Sequence, residues 1–63
     1  MKTVRRTSKY RMVTAQPGSP ANGLSNIIRL SDNETALWFD AETANELLAM
    51  DENEFNDNCD NHF

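Results

Sequence analysis

One stretch of the chain, residues 28–50, has the pattern of a strand, a four-residue turn, a second strand and a helix. Almost every large aliphatic or aromatic side chain that could form a core lies in or beside this stretch. The chain has 63 residues, which leaves room for one domain only, and domains of this size are marginally stable. The fold must therefore be organised around this stretch.

The two strands are predicted to pair around a turn at residues 31–34, because Ser, Asp and Asn side chains bond nearby backbone and Asn tolerates left-handed geometry. Leu30 is then opposite Thr35. Alternation along the strands places four side chains on the core face: Ile28, Leu30, Leu37 and Phe39. The other face receives Ile27, Arg29, Ala36 and Trp38. A register slip of one residue would exchange the two faces.

A helix is predicted to follow over residues 41–50. Asp40 is a natural N-cap, and Glu42 adds negative charge where the helix dipole favours it. An apolar stripe at helical spacing can pack on the sheet; its members are Ala41, Ala44, Leu47 and Leu48. Phe55 either extends this stripe by two turns or lies outside it.

An additional strand is predicted before this unit. Residues 9–15 alternate, with Tyr10, Met12 and Thr14 on one face, and a third strand would help because a lone hairpin is marginal. Residues 16–23 hold both prolines and both glycines, which predicts a loop. The predicted fold is α+β, a small two-layer domain with an antiparallel sheet of two or three strands (about 9–15, 24–30 and 35–39). That sheet packs on one C-terminal helix (about 41–50).

Charge is divided unevenly along the chain. Residues 1–13 carry five basic side chains and no acid, whereas residues 14–63 carry one Arg and all ten acids. Residues 1–8 lack periodicity and are predicted to be a flexible basic arm before a single domain over residues 9–50. Residues 51–63 hold five acids and four asparagines, a composition typical of a disordered acidic tail.

The composition also indicates a compartment. Cys59 is the only cysteine, so no intramolecular disulfide is possible and a reducing compartment is expected. No apolar run is long enough to cross a membrane, and the basic N-terminal segment lacks the apolar segment of a signal peptide. We therefore expect a cytoplasmic chain without membrane contact.

The residue types needed for catalysis or metal binding are sparse. Catalysis needs a nucleophile or an acid–base pair in a sheltered site, and the only Cys and His, Cys59 and His62, lie in the predicted tail. Their spacing supplies two of the four ligands that structural zinc requires. A calcium-loop pattern that starts at Asp51 breaks at Phe55. We expect no catalytic residue, no metal and no cofactor.

Three groups of residues are candidates for binding. Trp38 and Ile27 lie on the predicted face away from the helix, where an exposed Trp would be a typical interface anchor. Alternatively, Tyr10, Met12 or the proline loop covers Trp38, or an inverted register makes it core.

The second group is an acidic surface, which either enters a basic cleft of a partner or is a solvated helix face and tail. It comprises Glu42, Glu46, Asp51, Glu52, Glu54, Asp57 and Asp60.

The third group is the basic N-terminal segment. Its members are Lys2, Arg5, Arg6, Lys9 and Arg11, which can contact phosphates of a nucleic acid or simply be solvated near the acidic helix.

The first functional hypothesis is a small non-enzymatic protein-binding module that inhibits or modulates a larger host or cytosolic protein. Compact genomes of phages and mobile elements encode many accessory proteins of this kind. The predicted contact residues are Ile27, Trp38, Glu42, Glu46, Asp51 and Glu52. The alternative is a nucleic-acid-binding regulator that uses the basic segment. A homodimer, formed through the 9–15 strand or the Trp38 face, is compatible with either hypothesis.

Overall fold

The computed structural model describes residues 1–63 as an antiparallel four-stranded sheet with two helices on one face. The strands β1 Lys2–Arg6, β2 Tyr10–Thr14, β3 Ser25–Arg29 and β4 Glu34–Thr35 lie side by side in chain order. The helices are α1 Ala41–Ala49 and α2 Glu52–Asp60. The predicted α+β class, with a sheet packed on a C-terminal helix, is confirmed. The sheet has one strand more than predicted, and a second helix follows the first.

The first helix begins where the sequence predicts. The Asp40 carboxylate accepts a hydrogen bond from the Thr43 amide at 3.0 Å, which satisfies one of the free amides of the first turn. The helix ends at Ala49, and the Met50 amide donates back to the Leu47 carbonyl. Neither α1 nor α2 has the length and apolar character needed to cross a membrane.

The second helix corrects the prediction of a disordered tail at residues 51–63. Asp51 caps α2 as Asp40 caps α1, by accepting a hydrogen bond from the Glu54 amide at 2.8 Å. Phe55 and Cys59 are four residues apart, so they share one face of the helix, and both are fully buried. Burial of a large apolar side chain is worth about 1.5–3 kcal/mol, so Phe55 anchors an otherwise polar segment.

The core lies between the sheet and the two helices. Seven buried side chains form it: Tyr10, Met12, Ile27, Ala44, Leu47, Phe55 and Cys59. Ala36, Phe39 and Met50 pack against this cluster while remaining partly exposed. Each strand except the short β4 and the edge strand β1, and each helix, supplies at least one of the seven. Both helices are therefore integral to a single core.

The hairpin register differs from the prediction at two points. The turn closes one residue earlier than predicted, with Arg29 opposite Glu34, so Thr35 does not pair with Leu30. A bulge then follows beside β3. Ile28 pairs with Thr35, but Ser25 pairs with Phe39, so three residues on one side oppose two on the other. The extra residue allows Ala36 and Phe39, which are three apart, to pack against the same core. Strict alternation would place them on opposite faces, as predicted. The predicted faces are therefore correct for Phe39 and Trp38 and wrong for Ala36.

The bulge exchanges the predicted positions of several side chains. Ile27 was predicted to be on the open face, yet it is fully buried against the helices. Leu37 was predicted to be core, yet it is 85% exposed. The hypothesis that Ile27 joins Trp38 in a contact surface is therefore wrong, since no part of Ile27 reaches the surface.

The N-terminal residues form an edge strand where a flexible arm was predicted. β1 pairs with β2 from Lys2–Thr14 to Arg6–Arg11, with an irregularity between Thr3 and Arg5. In the turn that follows, the Thr7 hydroxyl accepts hydrogen bonds from the Lys9 and Tyr10 amides. It also lies 2.7 Å from Oδ1 of Asn56 in α2, to which it donates. This turn therefore ties the first hairpin to the last helix.

Candidate partner-binding surfaces

The bulge turns two large apolar side chains outward. Leu37 and Trp38 together oppose Asn26, which pairs with Val13 on the face of the sheet away from the helices. We call this face the outer face. Leu37 is 85% exposed, more than any other large apolar side chain of the chain, and the adjacent Trp38 is 41% exposed. Two adjacent exposed side chains of this kind form the most prominent apolar feature of the surface.

Trp38 lines a shallow cleft of about 250 Å³ beside the loop of residues 15–24. The other residues of this cleft are Met1, Ala15, Gln16, Ser19, Pro20 and Ala21. The proline loop therefore flanks Trp38, as one of the sequence-based alternatives suggested, but it does not cover the ring. Gly18 and Gly23 allow this path, because both have φ near +85° and a side chain would strain the backbone there.

The predicted acidic surface is formed by the exposed sides of α1 and α2. Residues 40–63 contain no Lys or Arg, and every acid among them is exposed: Asp40, Glu42, Glu46, Asp51, Glu52, Glu54, Asp57 and Asp60. These helices pack on the inner face of the sheet, so their exposed sides point away from Leu37 and Trp38. The predicted contact residues therefore do not form one surface: Ile27 is buried, Trp38 is on the outer face, and the acids are on the helices.

None of these eight acids takes part in a salt bridge. The single salt bridge of the chain joins Arg29 and Asp32, with 2.7 Å between Nη2 and Oδ2. The hydrogen bond from Arg29 lowers the pKa of Asp32, and a hydrogen bond from the Thr43 amide lowers the pKa of Asp40. The helical surface is therefore an uncompensated field of negative charge.

Arg5, a predicted nucleic-acid contact, has a structural role. Its guanidinium donates to the Leu47 carbonyl at 3.0 Å and to the Met50 carbonyl at 2.6 Å. These carbonyls close α1, where a cation is favoured by the helix dipole. The same guanidinium lies 4.4 Å from the centre of the Phe55 ring. Arg5 is therefore engaged within the domain and is not displayed to a nucleic acid.

Two other basic residues lie side by side on the outer face. Arg6 of β1 pairs directly with Arg11 of β2, and Arg11 pairs in turn with Ile28 of β3. Neither arginine forms a salt bridge, and the buried Nε of Arg11 has no hydrogen-bond partner. Like charges directly opposite each other in a sheet are destabilising. This arginine pair therefore costs stability in the isolated domain.

The remaining predicted phosphate contacts are at the periphery of the sheet. Lys2 is exposed at the start of the edge strand, and Lys9 is exposed in the turn between β1 and β2. Lys9 lines an open cleft of about 420 Å³ together with Ser8, Tyr10, Arg29, Leu30 and Ser31. The five predicted basic residues therefore do not form one continuous patch.

Cys59 and His62 both belong to the folded domain. Burial raises the pKa of the Cys59 thiol to about 12, so it is protonated at neutral pH. The His62 ring packs 5.0 Å from the Phe39 ring. No group of three or more His, Cys, Asp and Glu side chains is placed to hold a metal ion.

No family model, curated protein or solved structure matches this chain.

Sequence reasoning identified Trp38 but missed Leu37 and the arginine pair. The signal for Leu37 was the spacing of Ala36 and Phe39, because two core residues three apart at the end of a strand require a bulge. The pairing of Arg6 with Arg11 could be predicted only from the register of β1 against β2. That register was not considered, because residues 1–8 were predicted to be a flexible arm.

Proposed function

We propose that this chain is a small non-enzymatic protein-binding module that acts by surface contact on a larger protein. The observation that carries the proposal is the exposed pair Leu37 and Trp38, turned outward by a bulge. Burial of Leu37 in the core would have been favourable, so its exposure has a stability cost that contact with a partner can recover. Exposed apolar patches of this kind typically mark interaction sites.

The geometry suits an anchor better than a broad interface. The domain is small, with axes of 32 × 25 × 17 Å, so a partner buries a large share of whichever face it contacts. Trp is the residue type most enriched among interface hot spots, and the adjacent cleft accepts a side chain of the partner. Occupation of this face by a larger protein would inhibit or modulate that protein by steric blocking, as accessory proteins of phages and mobile elements do.

The proposed compartment is the cytoplasm. A single buried thiol and the absence of any disulfide support this proposal, because small secreted domains of this size usually depend on disulfides.

The proposal is tested by affinity capture from a lysate with the full chain and its variants. The test variants are Trp38→Ala and Leu37→Ser, and the matched control is Leu48→Ser. Leu48 is 42% exposed, close to the 41% of Trp38, but it lies on α1. Circular dichroism and urea unfolding establish that each variant remains folded.

The expected result is one protein retained by the wild type and by Leu48→Ser and lost with both test variants. Direct titration with the purified partner should then show a loss of at least about 2 kcal/mol for Trp38→Ala, as for interface hot spots. A partner that binds the folded test variants as tightly as the wild type would refute the proposal.

A further inference from the structure

The arginine pair on the outer face lacks any counter-charge within the domain. Arg6 and Arg11 are direct cross-strand partners, and the only salt bridge of the chain involves neither of them. The chain contains ten acids, so carboxylates are abundant, yet none is positioned to neutralise this pair. An unneutralised pair of guanidiniums, in which Arg6 is exposed, is suited to an oxyanion from outside the domain.

The charge of the helices restricts where such an anion can bind. Residues 40–63 carry eight acids without any Lys or Arg, and they form the layer on the inner face of the sheet. An acidic ligand is repelled by that layer and attracted by the opposite, outer face. The two layers therefore orient an anionic ligand onto the face that also carries Leu37 and Trp38.

The spacing on the outer face defines the length of the ligand. The bulge is opposite Asn26, which is two residues along β3 from Ile28, the partner of Arg11; this offset is about 7 Å along the strands. The bulge is also two strands away from Arg11, about 10 Å across the sheet. The resulting separation is about 12 Å, which an extended peptide spans in about four residues. Carboxylates on the arginine pair would thus place a side chain about four residues away beside Trp38.

We infer that the outer face binds an acidic segment of the partner protein, with carboxylates at Arg6 and Arg11 and an apolar side chain beside Trp38. The inference rests on the proposed function, because it specifies the partner segment that the Leu37–Trp38 anchor receives. A peptide needs only one or two carboxylates to satisfy the pair, and guanidinium binds carboxylate in a bidentate manner.

A nucleic acid fits this surface less well. Its backbone carries a charge on every nucleotide, and affinity grows with the number of phosphates that are neutralised. Arg5 is engaged with α1, which leaves Arg6 and Arg11 on the face and Lys2 and Lys9 at its periphery. The chain as a whole has a net charge of −4, so a long polyanion would also meet repulsion beyond this face.

The experiment is a nuclear magnetic resonance titration of the full chain with three probes. The first is a synthetic peptide with two adjacent glutamates and a leucine four residues later. The second has lysines in place of the glutamates, and the third is a short oligothymidylate. The indole N–H of Trp38 is unambiguous because the chain contains one Trp. The side-chain Nε–H signals of Arg6 and Arg11 report on the other end of the face.

The glutamate peptide should shift the arginine and indole signals together, and the lysine peptide should leave them unchanged. Arg6→Gln combined with Arg11→Gln should weaken binding about tenfold, the effect of losing two exposed ion pairs. The matched control, Lys2→Gln with Lys9→Gln, should change it by less than about twofold.

The inference is overturned if the glutamate peptide shifts neither group of signals, or if the lysine peptide shifts them equally. Tighter binding of the oligothymidylate to the same signals would overturn it in favour of a nucleic acid. The two proposals fail separately. A partner lost with Trp38→Ala but retained by the Arg6→Gln, Arg11→Gln variant would support the module and refute the acidic segment.

Discussion

Arg5 and Phe55 are fifty positions apart in the chain, and the guanidinium of Arg5 lies 4.4 Å from the centre of the Phe55 ring. The same guanidinium donates to the two carbonyls that close α1. A single side chain of the edge strand therefore holds the end of the first helix and covers one of the two core residues of the second. Arg5 thereby connects β1, α1 and α2.

We predict that Arg5→Gln lowers the free energy of unfolding by about 2–3 kcal/mol. The change removes the charge-assisted hydrogen bonds to the Leu47 and Met50 carbonyls and the cation–π contact with Phe55. Each of these interactions is worth about 1 kcal/mol or more. The matched control is Arg6→Gln, one position along the same strand, which should leave stability unchanged or raise it slightly by relieving the repulsion with Arg11. Urea unfolding of both variants measures the difference. Equal stability of the two variants would contradict the capping role of Arg5.

The second helix should be essential for folding, because Phe55 is completely buried. Phe55→Ala should cost about 3–5 kcal/mol. The whole stability of a small domain is about 5 kcal/mol, so this variant should keep only about 0–2 kcal/mol of it, measured by urea unfolding followed by circular dichroism. Asn53→Ala changes an exposed residue of the same helix and should stay within about 0.5 kcal/mol of the wild type. A Phe55→Ala variant as stable as Asn53→Ala would show that α2 contributes little to the core.

The bulge should be necessary for the core, while its side chains are not. Deletion of Leu37 removes the extra residue, so Ala36 and Phe39 can no longer face the helices together, at a cost of at least about 2 kcal/mol. Leu37→Ser keeps the backbone and should stay within about 0.5 kcal/mol of the wild type, because Leu37 is 85% exposed. Thermal unfolding of the pair distinguishes the backbone effect from the side-chain effect. Equal losses in the two variants would refute this account.

The buried thiol makes stability depend on alkaline pH. Burial raises the pKa of Cys59 from 9.0 to about 12, so above pH 9 the unfolded chain loses this proton while the folded chain keeps it. The contribution is fully present below pH 9, and the free energy of unfolding then falls by about 1.4 kcal/mol per pH unit until about pH 12. Urea unfolding should therefore show a loss of about 1.4 kcal/mol between pH 8 and pH 10, and Cys59→Ala should lack this loss. An identical pH dependence in both proteins would contradict the prediction.

The part of the fold that local chemistry dictates was predictable. The cap at Asp40, the strand at residues 10–14 and the left-handed Asn33, which has φ of 59°, all follow from neighbouring residues. The second helix was missed because its mean composition is polar, although its capping residue Asp51 and the four-residue spacing of Phe55 and Cys59 are visible in the sequence.

The rest depends on contacts between distant residues. Residues 2–6 form a strand through their pairing with β2, and Arg5 fastens that strand to carbonyls 42 and 45 residues away. The side of the sheet that Ile27 faces is decided by a bulge in another segment. The candidate surface was predictable as far as Trp38, whereas Leu37, Arg6 and Arg11 required the register of the whole sheet.

The hold of Arg5 on α1 and Phe55 also determines when the domain can fold during synthesis. Arg5 leaves the ribosome fifty residues before Phe55, and Phe55 is among the last of the core residues to do so. Contacts of such long sequence separation form slowly and only after the intervening chain is available. Until α2 has been released, the sheet is therefore not fully covered by the helices. During this time Met12 and Ile27 are accessible to chaperones and to other nascent chains.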